Sequence, residues 1–410
     1  LAWKFHITML KTIISYFEIG KVGGLELLFS MYLILTAYQY GSVPLSLLTL
    51  LIMDVIALCR PYSDYKIWKS IYKPIAWCRA FVVVHEFILY LMIGMGHSHM
   101  MNANIALIIN VVSIFIIAPK LDFEKLIHSL MIVAIISAIG LVVQFVKILA
   151  GAHVSPILLP FLPNPGEQGR FDAIIRRPTS FFVEPAAFTT FMMVPYFYVV
   201  YKKHYLLAAG MIFIMLLSGS TTAIGLTFIL LAVYACTQII KLKYRVLVVL
   251  IGAIVMIVMF TSSLFEVGVN KMYNTEVETS IRLYNGVEIF LNTKPANLLF
   301  GVPYANLTDY CIKERIPVII YLKGVYCTTF WSVLVKYGIF SLILYLYGYW
   351  RMMKDCRDVI PYVVCLLVAL FTQSIRYDSG TLVFQLCSIY ALMIYTSKHK
   401  RRECRCLTSA

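Results

Sequence analysis

The residues best equipped for chemistry in this 410-residue chain are arginines that lie beside carboxylates in two stretches. Arg176 and Arg177 come shortly before Glu184, and Glu276 and Glu278 come shortly before Arg282. A guanidinium is always charged and presents a planar fork of donors that fits phosphate or carboxylate oxygens two at a time. A carboxylate within hydrogen-bond reach of a hydroxyl can serve as a general base. Ordinary readings compete at each position. An arginine in an outer loop is by default a solvated surface charge. Glu184 followed by Pro185 suits a helix start, where both residue types are favourable. Arg376, in the turn Ile375 to Gly380, has Asp378 as a partner across that turn.

Metal chemistry is weakly encoded. Glu276 and Glu278 alone are too few ligands to demand a divalent ion, and His97, His99, Met100 and Met101 crowd one short turn without a wider ligand set. Cys404 and Cys406 have no second ligand pair at zinc spacing, so free thiols are the expectation there. Only Cys311 and Cys327 fall on the outer side, where an oxidising compartment could join them, and two lone cysteines show no framework. Neither a metal nor a cofactor is called for. Among ionisable groups within apolar runs, Lys336 lies near mid-run, Lys147 can snorkel at an outer end, and Asp54, His85 and Glu86 are expected to be buried and paired.

The elements that position these residues belong to a membrane protein. Apolar residues make up 61% of the chain and charged residues 13%, with mean hydropathy +0.83. That leaves too little polar surface for a soluble enzyme. About twelve apolar runs are long enough to read as spanning helices: 22–41, 42–59, 80–96, 102–118, 127–150, 184–201, 205–218, 221–240, 246–262, 325–350, 358–374 and 381–396. The fold class is therefore an all-α polytopic integral membrane protein, one transmembrane domain over 1–410. Residues 1–19, interrupted by Lys4, His6, Lys11 and Glu18, read as an interfacial helix, and no cleavable signal is expected.

The net charge of +15 is an orientation signal with affinity for anionic lipid. With the N-terminus cytoplasmic, the short basic connections at Arg60 to Arg79, Lys120 to Lys125, Lys202-Lys203, Lys241 to Arg245 and Arg351 to Arg357 all fall inside. The basic tail from Lys398 to Arg405 falls inside as well. A nucleic-acid partner is not expected. Two long connections, 151–183 and 263–324, then face outward. The inner loops are too small for a nucleotide-binding domain, and no Gly-rich phosphate loop occurs. Whatever the protein handles, it handles at the outer face without ATP or a nucleotide-sugar. The first loop is extended by Pro156, Pro160, Pro163 and Pro165. In the second, Ile281, Tyr284, Val287 and Phe290 recur at helical spacing, which predicts a surface helix with Arg282 to one side of the stripe. That helix gives way to a turn at Gly301 and Pro303.

Four segments carry a family resemblance. Arg177-Pro178-Thr179-Ser180-Phe181-Phe182-Val183-Glu184-Pro185-Ala186 enters a span, and Leu217-Ser218-Gly219-Ser220-Thr221 turns between two. Ser280-Ile281-Arg282 is followed by Leu299-Phe300-Gly301-Val302, and Lys336-Tyr337-Gly338-Ile339 lies in the next span. In this order and spacing the chain resembles the Wzy-type O-antigen and capsular polysaccharide polymerases, within the wider polymerase and O-antigen ligase superfamily. Ligases of that superfamily carry a functional histidine near the end of the large outer loop. The stretch Tyr321 to Phe330 has none, which favours polymerase over ligase.

The resemblance implies a GT-C-like glycosyltransferase architecture in the bacterial inner membrane, with both termini cytoplasmic. It implies polymerisation of undecaprenyl-pyrophosphate-linked oligosaccharide repeats at the periplasmic face by inverting glycosyl transfer. Donor and acceptor glycan lipids are the implied partners, with a chain-length regulator and a flippase beside them. On this reading Arg177 and Arg282, then Arg176, bind pyrophosphate and oligosaccharide, with Arg376 and Lys336 as further substrate-binding candidates. Glu184 is the first candidate base and Glu278 the second. The rivals are an O-antigen ligase and a flippase or transporter of the same lipid-linked sugar.

Overall fold

The computed structural model describes residues 15–16, 18–40, 43–61, 68–69, 72, 80–85, 87–88, 91, 98–160, 162, 177–236, 278–302, 307–321, 324–372 and 380–408. These are mostly helical with little sheet. They divide between two compact units, one formed by 1–61 with 120–273 and the other by 62–119 with 274–410.

In the first unit, α1 (Gly24–Leu35) and α2 (Leu45–Leu58) are joined by a small hairpin, β1 (Gln39–Tyr40) against β2 (Val43–Pro44). Next come α4 (Phe123–Leu149), α5 (Pro185–Tyr201), α6 (Tyr205–Leu217) and α7 (Thr221–Cys236). Helix α1 packs on α2 and α4, and α5 packs on α4 and α6. Asp122 starts α4 by accepting the Glu124 and Lys125 amide protons at 3.0 and 3.2 Å, satisfying donors that have no intrahelical partner. One end of this unit is tied by a buried carboxylate absent from the sequence reading. Glu26 of α1 is fully buried and accepts from both terminal nitrogens of Arg60, at 2.6 and 3.1 Å, and from the Asp122 amide at 3.0 Å. Lys120 Nζ completes the knot by donating to the Arg60 carbonyl.

The second unit contains α3 (Ser98–Ile117), α8 (Glu278–Asn292), α9 (Pro295–Phe300), α10 (Leu307–Lys313), a hairpin of β3 (Ile320–Tyr321) with β4 (Gly324–Val325), α11 (Thr329–Asp355), α12 (Ile360–Thr372) and α13 (Gly380–Thr408). Helix α11 packs on α8, α9 and α12, and α13 packs on α3. Its loop-side core joins Ile289, Val302, Leu307, Cys311, Ile316, Cys327 and Val335.

Among the described residues three helices are long and apolar enough to cross a membrane: Phe123–Leu149, Thr329–Asp355 taken across its break at Gly338, and Gly380–His399. At about 1.5 Å per residue a helix of 27 residues exceeds the roughly 30 Å hydrocarbon layer. Gly24–Leu35, Leu45–Leu58, Ile105–Lys120 and Tyr205–Leu217 are shorter apolar helices. The surface fits a lipid environment. Leu51, Ile52, Val55 and Leu58 of α2 and Ile136, Ile139, Val143 and Val146 of α4 are exposed at helical spacing. Ser30, Thr49, Ser129 and Thr189 are buried, each bonding the carbonyl four residues back. Contiguous exposed apolar rows of this kind suit contact with lipid tails.

The observed helices overlap most of the expected runs, while 246–262 and part of 80–96 lie outside the described residues, as does most of the expected interfacial helix over 1–19. One run differs in kind. The expected continuous span at 325–350 is two helices meeting at Gly338, whose φ of 79° and ψ of 172° break the helical path.

Candidate functional site

The first unit holds the Arg177 segment. Arg177 is half-buried, and its guanidinium donates to the Gly219 carbonyl at 3.3 Å. Gly219 has φ +62°, and a Cβ there would press on the Arg177 side chain at 3.3 Å. The turn is braced by Ser218, whose hydroxyl bonds the Met215 carbonyl at 2.5 Å and accepts from the Ser220 amide at 3.3 Å. The first and second resemblance segments are thus in contact.

After Arg177 the chain makes a tight bend. Ser180 adopts φ +56°, a conformation uncommon for residues with a Cβ. Thr179 and Ser180 are fully buried, and both backbone amides donate to one acceptor, Gln144 Oε1 of α4, at 2.9 and 2.7 Å. The same carboxamide donates from Nε2 to the Ser155 carbonyl at 2.7 Å. Gly140, one turn earlier on α4, leaves room for the Ser180 hydroxyl, which would lie 2.8 Å from a Cβ at that position. Glu184 ends the bend at the N-cap of α5. Its side chain is exposed and makes no cap hydrogen bond, so the carboxylate does not serve as the helix cap.

In the second unit Arg282 sits on α8. Asn285, Gly286 and Ile289, at i+3, i+4 and i+7 from it, are buried, whereas Tyr284, Val287 and Leu291 are exposed. Half-buried Arg282 therefore belongs to the packed face, and the apolar stripe expected from the sequence lies mainly on the opposite side. The reason is Gly286, over which Trp331 of α11 lies so closely that a Cβ would meet its ring at 2.2 Å. Asn285 is fully buried and bonds both arms of the β3–β4 hairpin. Its Nδ2 donates to the Ile319 and Tyr326 carbonyls at 2.9 and 3.1 Å, and its Oδ1 accepts from the Ile319 amide at 2.8 Å.

The third and fourth segments also meet. The Val302 amide donates to the Val335 carbonyl at 2.9 Å. A Cβ on Gly301 would sit 2.3 Å from the Lys336 carbonyl oxygen, and one on Gly338 would sit 2.2 Å from the Leu299 carbonyl oxygen. Backbone therefore fills the break in α11. His85 donates from Nε2 to the Phe300 carbonyl at this junction, with its ring 6.3 Å from that of Tyr337. Lys336 itself is half-buried.

Arg176 and Arg376 lie outside the described residues. Glu278 is the first residue of α8, and its side chain is likewise not among those described. Cys311 and Cys327 are buried free thiols, and burial pushes the Cys311 thiol up to about 12. Among the described residues no group of three or more His, Cys, Asp or Glu side chains could hold a metal ion.

Sequence reasoning missed Glu26, Gln144 and Asn285. The available signal was that polar side chains in apolar helices must find partners. No protein-family model matches the chain, and no curated protein matches it.

Proposed function

We propose that this chain is an integral glycosyltransferase of the bacterial inner membrane. It joins undecaprenyl-pyrophosphate-linked oligosaccharide repeats into O-antigen or capsular polysaccharide at the periplasmic face. The observation that supports this reading most is the pairing of the four resemblance segments within their own units, Arg177 on the Gly219 turn and Leu299 to Val302 on Lys336 to Gly338. The half-buried setting of Arg177 and Arg282 adds to it, since a guanidinium withdrawn from bulk water interacts more strongly with a developing anion.

In the reaction an acceptor hydroxyl oxygen attacks the anomeric carbon of the donor sugar as the bond from that carbon to the pyrophosphate oxygen breaks. A single displacement inverts the anomeric centre. Arg177 and Arg282 bind pyrophosphate and oligosaccharide, and the arginine on the departing diphosphate stabilises its charge. Arg176, Arg376 and Lys336 are the further cationic candidates. Glu184, exposed at the start of α5, takes the hydroxyl proton, and Glu278 is the alternative base. No cofactor is assigned to the reaction.

One observation favours a rival class. Discontinuous helices line substrate sites in transporters, and α11 is broken at Gly338. Here, however, the break is occupied by the backbone of Leu299 to Gly301. The deciding experiment supplies purified, reconstituted protein with a lipid-linked repeat unit. A ladder of products supports the polymerase. One transfer to a different acceptor supports a ligase, and transbilayer movement without elongation supports the transporter.

A further inference from the structure

Each arginine-bearing segment is held by a buried carboxamide, and the two carboxamides work through opposite ends. We propose that Gln144 and Asn285 are the positioning residues for Arg177 and Arg282, Gln144 acting mainly as an acceptor and Asn285 mainly as a donor. The link to catalysis rests on the polymerase reading above. The positioning itself does not.

Gln144 lies in α4, a helix long and apolar enough to span a membrane, where an unsatisfied carboxamide is expensive. Its oxygen receives two consecutive amide protons, Thr179 and Ser180, immediately after Arg177-Pro178. Both amides face that one oxygen, and the chain turns directly after them, where Ser180 takes a positive φ. The Gln144 oxygen therefore selects the bend, and the bend fixes where the Arg177 side chain leaves the backbone to reach Gly219. Its amino group makes one further bond, to Ser155.

Asn285 has the reverse balance. Its amino group bonds two carbonyls, one on each arm of the β3–β4 hairpin, and its oxygen accepts once. Three of its four hydrogen-bonding positions are filled. Because Asn285 is one turn beyond Arg282 on the same face of α8, anchoring it sets the rotation of α8 and hence the face that Arg282 occupies.

The asymmetry makes the proposal testable atom by atom. Glu at 144 keeps the oxygen acceptor for two amides, a pairing that suits a carboxylate, and sets its second oxygen against one carbonyl, that of Ser155. Asp at 285 keeps the single acceptor but sets its other oxygen against two carbonyl oxygens. The variants are Gln144→Glu, Gln144→Leu, Asn285→Asp and Asn285→Leu in the full-length protein. Each is examined by hydrogen–deuterium exchange over 177–183 and 319–326, by thermal unfolding, and by kcat/KM for the donor lipid.

Gln144→Leu should speed exchange at Thr179 and Ser180 and lower donor kcat/KM about tenfold or more, and Gln144→Glu should bring both back to within about threefold of wild type. Asn285→Asp should speed exchange in 319–326 and lower donor kcat/KM at least as much as Asn285→Leu. A variant that yields no monodisperse protein counts as a loss at that position. The proposal is overturned if Gln144→Glu is as damaging as Gln144→Leu, or if Asn285→Asp behaves as wild type. Should wild-type protein form no ladder, the polymerase reading falls, and exchange and unfolding alone decide the positioning claim.

Discussion

Replacing either Gly301 or Gly338 by alanine tests the junction that closes the break in α11. A Cβ at 301 would lie 2.3 Å from the Lys336 carbonyl oxygen, and one at 338 would lie 2.2 Å from that of Leu299. Both obstacles are backbone atoms, so no side-chain rotation relieves them. The two glycines have φ of 84° and 79° with ψ of 174° and 172°, a region essentially closed to residues with a Cβ, at a cost of about 1–3 kcal/mol. Relieving the contact by shifting packed backbone adds about 1–3 kcal/mol. The sum of about 2–6 kcal/mol is a large share of a typical domain stability of about 5–15 kcal/mol. At about 2–4 °C per kcal/mol, the melting temperature should fall by at least about 4 °C for either variant. The assay is thermal unfolding of purified protein in detergent, with Gly210→Ala on α6 as control. Beyond its own helix backbone and chain neighbours nothing lies within 4 Å of a Cβ at Gly210, so that change should be neutral or stabilising by up to about 1 kcal/mol. The two junction sites touch, so the double variant should lose less than the sum of the singles. Wild-type melting in both Gly301→Ala and Gly338→Ala would refute the reasoning.

Arg60→Leu strands the fully buried Glu26 carboxylate with the Asp122 amide as its remaining hydrogen-bond donor from this knot, and should destabilise by about 3 kcal/mol with little dependence on salt, read by melting at two ionic strengths. The Cys311 thiol, pushed up to about 12 from 9.0, keeps its proton in the folded protein where the unfolded chain loses it. Its contribution is therefore fully present below about pH 9 and lost as pH rises towards 12, so melting should decline through that window, and alkylation at pH 8 should be slow until the protein is unfolded. Glu184→Gln should lower the polymerisation rate about 100-fold if this carboxylate takes the hydroxyl proton. Melting of the same variant, measured beside the rate, separates lost chemistry from lost stability.

Periodicity and length carried most of the helices. The apolar runs at 127–150, 184–201 and 205–218 correspond closely to Phe123–Leu149, Pro185–Tyr201 and Tyr205–Leu217, because their boundaries are marked by local signals such as Asp122 and Pro185. What could not be read was set by partners distant in sequence. Gly338 looks like a tolerable glycine within a helical run until Leu299 is seen against it. The stripe on α8 marked a surface helix with Arg282 to one side, but that Arg282 lies on the packed face was not readable, because it depends on a lone glycine, Gly286, that admits Trp331 there. Gln144 and Asn285 leave no periodic trace, since their partners are single backbone groups reached across long stretches of chain. The arginines themselves were legible from residue type and neighbours. Their half-buried setting was not, for it depends on the Gly219 turn and on the packing of α8 against α11.

The central claim is that guanidinium groups at Arg177 and Arg282 stabilise the departing diphosphate and hold the glycan during transfer. The most direct measurement is the elongation rate of reconstituted Arg177→Ala and Arg282→Ala proteins on lipid-linked repeat units, with melting temperatures matched to wild type. The account predicts a fall of about 100-fold or more in each. Wild-type elongation by either folded variant would contradict it.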